Sequence, residues 1–157
     1  MNTEPRLRDA TNADCDAVRE LVFAVLAEYG LKSDPGRTDA DLSDIEQSYR
    51  ARGGLFRVLE SSDGSIIGAY GLYPMEDGTC ELRKMYLRHQ WRGQGLGRRL
   101  LDDALAQARR LGFARVVLET ASVLKEAIAL YERYGFAPYH PDHLSSRCDQ
   151  AYLLELT

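Results

Sequence analysis

Apolar residues recur early in the chain at Val18, Leu21, Val22, Val25, Leu26 and Tyr29, the spacing of one buried stripe on a helix. The pattern predicts a helix over residues 12–29. Thr11 followed by Asp14 approximates a capping box at its start, and Gly30 can turn left-handed at its end. Residues 5–9 alternate ahead of it and predict a first strand. From Lys32 to Asp44 the chain is rich in Asp, Ser, Pro and Gly and reads as a loop, with a short polar helix expected over residues 41–50.

Residues 54–60 and 65–73 predict two strands joined through Ser62-Asp63-Gly64, and residues 79–88 alternate loosely as a third strand of the same meander. At Gly95 the period becomes helical. Leu96, Leu100, Ala104, Leu105, Ala108 and Leu111 form a stripe that ends at Gly112. An apolar strand over 114–119 follows, then a helical stripe of Leu124, Ala127, Ile128 and Tyr131 closed by Gly135, a short strand over 136–139 and a terminal strand over 150–156. A meander followed by strand–helix–strand units predicts a single α+β domain over residues 1–157, its later crossovers parallel and right-handed.

Composition narrows the function classes. The 157 residues carry 20 Lys and Arg against 24 Asp and Glu, a net charge of −4, with 45% hydrophobic residues. A domain of this size buries roughly 70% of its unfolded surface and needs no metal or disulfide staple. The acidic balance argues against nucleic acid or an anionic membrane as the main partner. Cys15, Cys80 and Cys148 are odd in number and lack Cys-x-x-Cys spacing, and His89, His140 and His143 form no ligand constellation, so no metal is expected and a reducing cytoplasm is the simplest setting. Residues 1–8 are polar with no apolar run of signal-peptide length, and no stretch reaches the ~18 apolar residues of a membrane span.

The chemistry concentrates in Arg92-Gly93-Gln94-Gly95-Leu96-Gly97, where a strand gives way to a helix. Alternate glycines let the backbone approach a ligand, and the helix start adds unpaired N–H groups, a combination that binds phosphate; the same pattern also makes a plain tight connection. No Lys-Ser/Thr follows Gly97 as a P-loop requires, and the dinucleotide fingerprint does not fit. Arg-x-x-Gly-x-Gly does resemble the pyrophosphate signature of the Gcn5-related N-acetyltransferase (GNAT) superfamily. Met85-Tyr86-Leu87 stands where that family has its aliphatic triplet, and Leu130-Tyr131-Glu132-Arg133-Tyr134-Gly135-Phe136 is similar to its later helix signature. Two departures are His89, where the family often has proline, and Leu124, where it often has an asparagine that contacts pantetheine.

The resemblance implies a central mixed, mostly antiparallel sheet of six to seven strands with about four helices, splayed at the cofactor site by a bulge. It implies acetyl-CoA as acyl donor, with the backbone of Met85, Tyr86 and Leu87 against the pantetheine arm. Gly93, Gln94, Gly95, Leu96 and Gly97 would hold the pyrophosphate with charge from Arg92 and Arg98, and the Leu87 N–H would serve as oxyanion donor. Tyr131 is implied as general acid toward the departing thiolate. Periodicity alone would make it only part of the helical stripe. Glu81 is implied as base toward a primary amine; residues 81, 83, 85 and 87 are expected on one face of their strand. The implied function is N-acetyl transfer to an amine of a small molecule or peptide by direct attack, as opposed to a cysteine acyl-enzyme. A non-catalytic acyl-CoA sensor and a domain for other nucleotides are the alternatives, and a homodimer, frequent in the family, is left open.

Charge is segregated along the chain. Residues 82–115 hold nine basic side chains against Asp102 and Asp103, in the segment expected to meet the polyanionic donor. Asp34, Asp39, Asp41, Asp44 and Glu46 crowd the expected acceptor side, from which a cationic amine substrate is expected.

Overall fold

The computed structural model describes residues 4–157; the first three residues of the polar N-terminal segment lie outside the described residues. Strand β1 (Arg6–Asp9) leads through a short 3-10 turn, Asn12–Asp14, into α1 (Cys15–Glu28). Thr11 and Asp14 form the expected capping box, but it caps the 3-10 turn, so the α-helix proper begins three residues later than residue 12. The α1 stripe of Val18, Leu21, Val22, Val25 and Leu26 is buried.

The segment expected as one polar helix over 41–50 is instead broken into a 3-10 turn (Ala40–Ser43), a single α turn α2 (Ile45–Ser48) and another 3-10 turn (Arg50–Arg52). It is also less polar in position than in composition. Leu42, Ile45 and Tyr49 are almost fully buried and pack with the α1 stripe.

Strands β2 (Leu55–Glu60), β3 (Ile66–Pro74) and β4 (Thr79–Leu87) form the meander, followed by α3 (Leu96–Arg110), β5 (Arg115–Thr120), α4 (Lys125–Arg133), β6 (Ala137–Pro138) and β7 (Gln150–Glu155). The seven strands make one sheet in the order β1-β2-β3-β4-β5-β7-β6, antiparallel except where β4 meets β5. The first crossover is parallel as expected. The second is not a neighbouring pair, because β7 inserts between β5 and β6 and runs antiparallel to both.

Each face of the sheet carries a core. Helices α1 and α2 cover one, with Tyr49, Phe56, Val58 and Ala69; α3 and α4 cover the other, with Leu72, Leu82, Leu100, Leu101 and Leu118. Each fully buried leucine contributes about 2 kcal/mol by removal from water. On the α1 face Gly71 is a requirement of packing, since a Cβ there would lie 2.7 Å from both the Tyr49 and Phe56 rings. Among the described residues no helix is long and apolar enough to cross a membrane.

Candidate active site

Strands β4 and β5 pair only from Thr79–Arg115 to Glu81–Val117, and beyond Glu81 they diverge. On its other edge β4 carries a bulge: Gly71 faces Arg83, but Ala69 faces Tyr86. The extra residue is Lys84, held at φ +57, a conformation costly for a side chain with a Cβ. Its Nζ donates to the Thr38 carbonyl at 3.0 Å and lies 3.4 Å from Asp39 and 3.3 Å from Asp41, so buried charge pairing holds the kink in place.

The bulge shifts the alternation of the strand. Glu81, Arg83 and Tyr86 oppose Tyr73, Gly71 and Ala69, alternate residues of β3, and therefore share one face, whereas Met85 and Leu87 pack into the core beneath α3. The expectation that residues 81, 83, 85 and 87 share a face is thus corrected. One face brings an acid and two polar side chains to the splay, and the other brings the aliphatic pair.

A cavity of about 260 Å³ lies along the splay between β4, the glycine turn and α4. Of the residues expected to meet the donor, Met85, Tyr86, Leu87, Arg92, Gly93, Gly95, Gly97 and Arg98 line it; the side chains of Gln94 and Leu96 do not, Leu96 being buried in the core. Gly95 caps α3 at φ +81, and the N–H groups of Leu96, Gly97 and Arg98 begin the helix without intrahelical partners. A Cβ at Gly93 or Gly95 would meet nothing within 4 Å, so the space beside both glycines is open.

Arg92 is engaged elsewhere. Its Nε and Nη2 donate to the Leu87 carbonyl at 3.1 and 2.8 Å, and its other contacts are the Glu28 carboxylate and the Tyr29 hydroxyl, so Arg98, exposed and without an ion pair among the described residues, is the cation the turn has to offer. The next residue, Arg88, donates its N–H to Ile67 at 2.8 Å across the ladder. By alternation the N–H of Leu87 points away from β3 and into the splay.

A second cavity, about 400 Å³, lies on the far side and shares Met85, Tyr86 and Leu124 with the first. Glu81 and Tyr131 both line it. The Glu81 carboxylate accepts from Arg83, whose guanidinium stacks 3.8 Å above the Tyr73 ring. Tyr131 packs its ring 5.6 Å from Phe136, and its hydroxyl has no hydrogen-bond partner among the described residues. Burial, reinforced by the neighbouring Tyr86, pushes that hydroxyl well above its ordinary pKa, which keeps the proton on it. Leu124 supplies an apolar side chain to both cavities where the related pattern has an amide.

Arg37, Glu119, His143, Ser145, Arg147 and Cys148 also line the second cavity, and all but Glu119 come from the two stretches, about 29–52 and 139–150, where the family resemblance puts acceptor specificity. The five acidic residues expected to make this side anionic do not line it. Asp39 is fully buried, clamped by Arg147 at 2.7 Å and by Lys84. Asp41 accepts from Tyr49, Asp34 from Thr38, and Asp44 from Asn12 and Gln47, while Glu46 accepts from the Asn12 N–H.

A sequence profile described as the acetyltransferase (GNAT) family matches residues 20–136. The chain is 43% identical over 137 residues to an uncharacterized N-acetyltransferase of Escherichia coli, YjgM, covering 84% of this chain and 81% of that protein. Among solved structures it is similar to a GNAT-family acetyltransferase from Staphylococcus aureus, with TM-score 0.90, 22% identity and coverage of 98% and 99% of the two chains. It also resembles YncA from Salmonella typhimurium, solved with its cofactor acetyl-CoA, with TM-score 0.74, 26% identity and coverage of 99% and 95%.

Proposed function

The chain belongs to the GNAT acetyltransferase family, and on that premise we propose that it moves an acetyl group from acetyl-CoA to a primary amine of a small molecule or peptide, the amine attacking directly within a ternary complex. The observation that carries this reading is the meeting of two cavities at Met85, Tyr86 and Leu124, one against an anion-binding turn and the other against Glu81 and Tyr131. A module that only sensed the donor would have no use for the second cavity. The three free cysteines fit a reducing cytoplasm as the place of work.

The donor site fits its proposed occupant, since the glycine turn lines the cavity, the first N–H groups of α3 lack intrahelical partners and Arg98 stands beside them. When bound there, acetyl-CoA supplies an acetyl group activated as a thioester. The Leu87 N–H is directed into the splay to hold charge developing on an acyl oxygen. Glu81 takes a proton from the attacking amine, whose nitrogen bonds to the acetyl carbon as the carbon–sulfur bond breaks. Tyr131 gives its proton to the departing sulfur, and its raised pKa lies above that of a thiol, so the proton is present at every working pH. Cys148 is the one thiol lining the cavity, and burial pushes its pKa up, away from the reactive thiolate.

The test is release of free CoA thiol from acetyl-CoA on a panel of primary amines, together with thermal melting. Stabilisation by acetyl-CoA with amine-dependent thiol release supports the reading. Stabilisation without release to any amine would leave only the sensor.

A further inference from the structure

Resting on that reading, the geometry points to an acceptor that carries a carboxylate beside its amine, with Arg37 as the residue that binds the carboxylate. Of the charged side chains on the acceptor cavity wall, Arg37, Arg83, Lys84 and Arg147 are cations and only Glu81 and Glu119 are anions. Most of these charges are matched: Arg83 pairs with Glu81, while Arg147 and Lys84 pair with Asp39 and Asp41, which lie behind the wall. Two are not. Glu119 accepts one backbone N–H, that of Ser145 at 2.8 Å, and Arg37 is exposed with neither an ion pair nor a side-chain hydrogen bond among the described residues.

Opposite unmatched charges on the wall of one cavity are the complement of a zwitterion. The amine belongs on the side of Glu119 and Glu81, because Glu81 is the proposed base, and this leaves Arg37 for the anion. A guanidinium presents paired donors that match the planar oxygens of a carboxylate.

The backbone carrying Arg37 is well anchored although the side chain is free. Its N–H donates to the Asp34 carbonyl at 3.2 Å, and its own carbonyl accepts from Ala40 at 3.1 Å. Lys84 holds the next carbonyl, that of Thr38, and the buried Asp39 after it is gripped by Arg147. The bulge lysine therefore ties the loop that bears Arg37 to the strand that bears Leu87. The backbone that carries the cation is already fixed, so the rotamers of the Arg37 side chain are what a ligand has to order when it binds.

The experiment compares sets of L-α-amino acids, their carboxamides and the matching amines that lack the carboxyl group, by thiol release, in the native enzyme and in Arg37→Gln. Arg37 has no partner to lose, so the variant is expected to melt with the native protein. The native enzyme should favour the best amino acid over its carboxamide by tenfold or more in kcat/KM. Arg37→Gln should raise KM for the amino acid about tenfold with kcat nearly unchanged, and leave the carboxamide unaffected. Equal use of carboxamide or decarboxylated amine, or an equal loss on both substrates in the variant, overturns the inference.

Thermal stabilisation by N-acetyl amino acids in the presence of CoA reads the same site without turnover. It should be lost in Arg37→Gln; equal stabilisation by N-acetyl carboxamides, or none by any N-acetyl amino acid, overturns it. Acetyl transfer with no preference for carboxylates removes the carboxylate site and leaves the transferase. Binding of N-acetyl amino acids with no transfer to any amine removes the transferase and leaves the site.

Discussion

Arg92 holds the carbonyl oxygen of Leu87 with two nitrogens, at 3.1 and 2.8 Å, while its remaining edge grips the carboxylate of Glu28 at the end of α1. The strand end that aims an N–H into the splay is thereby fastened to α1, whose C-terminal part also borders the donor cavity.

Arg92 is thus expected to position the strand end more than to bind phosphate. Arg92→Gln should lower kcat about tenfold, as a small displacement of a catalytic dipole does, and change the dissociation constant of acetyl-CoA less than threefold. Arg98→Gln should do the reverse. Isothermal titration with acetyl-CoA beside steady-state kinetics separates the two, and a tenfold weaker complex for Arg92→Gln would return it to the phosphate.

Tyr131→Phe removes a hydroxyl that has no partner and leaves the ring contact with Phe136, so stability should change by less than about 1 kcal/mol. The expected loss in kcat is about 100-fold with native affinity for acetyl-CoA. Because burial raises the Tyr131 pKa, its proton is retained across the working range, and no alkaline fall in kcat below about pH 10 should trace to this group. Full turnover in the variant would remove the acid role.

Glu81→Gln should cut kcat/KM near neutrality about 100-fold. Activity should recover as pH rises, when the amine loses its proton to solvent without help. A pH–rate profile parallel to the native one removes Glu81 as base.

Asp39→Asn leaves Lys84 and Arg147 without their shared counter-ion and should cost about 3 kcal/mol, a fall in Tm of about 8 °C. Burial pushes the Asp39 pKa up, but Arg147, the Asp34 N–H and Lys84 overcome it and the net direction is down. The lowered folded value means that its stabilisation is complete above the ordinary carboxylate pKa and is lost as pH falls through the folded value. The native Tm should therefore drop in acid more steeply than that of Asp39→Asn. Parallel curves would show that Asp39 contributes no such linkage.

Local periodicity made much of this visible in advance. The glycine turn and the Tyr131 helix declare themselves in consecutive residues, and their elements lie within a residue or two of expectation. The Leu42, Ile45 and Tyr49 spacing also marked a buried face, which the surrounding charges concealed. What could not be read was non-local. Glu28 is 64 residues from Arg92 and Asp39 is 108 from Arg147, and no spacing rule links such partners. Lys84 is a third case: a lysine at positive φ has no sequence signal, because the strain is offset by contacts made only in the finished fold. Without the kink at Lys84, plain alternation places Met85 and Leu87 on the face of Glu81, and without its ammonium Asp39 and Asp41 read as free negative charge.

Lys84 also makes the site unusually sensitive to chain length. Deleting that single codon would restore a regular ladder with Tyr86 still opposite Ala69 and on the face of Glu81, yet it would remove the kink and the ammonium that ties β4 to Thr38, Asp39 and Asp41. An insertion of the same size at residues 32–33, ahead of the hydrogen bonds that begin at Asp34, would lengthen only the approach to the loop that bears Arg37. Descendants of this protein can therefore be expected to vary in length around the acceptor loop and to hold the count fixed between Glu81 and Leu87.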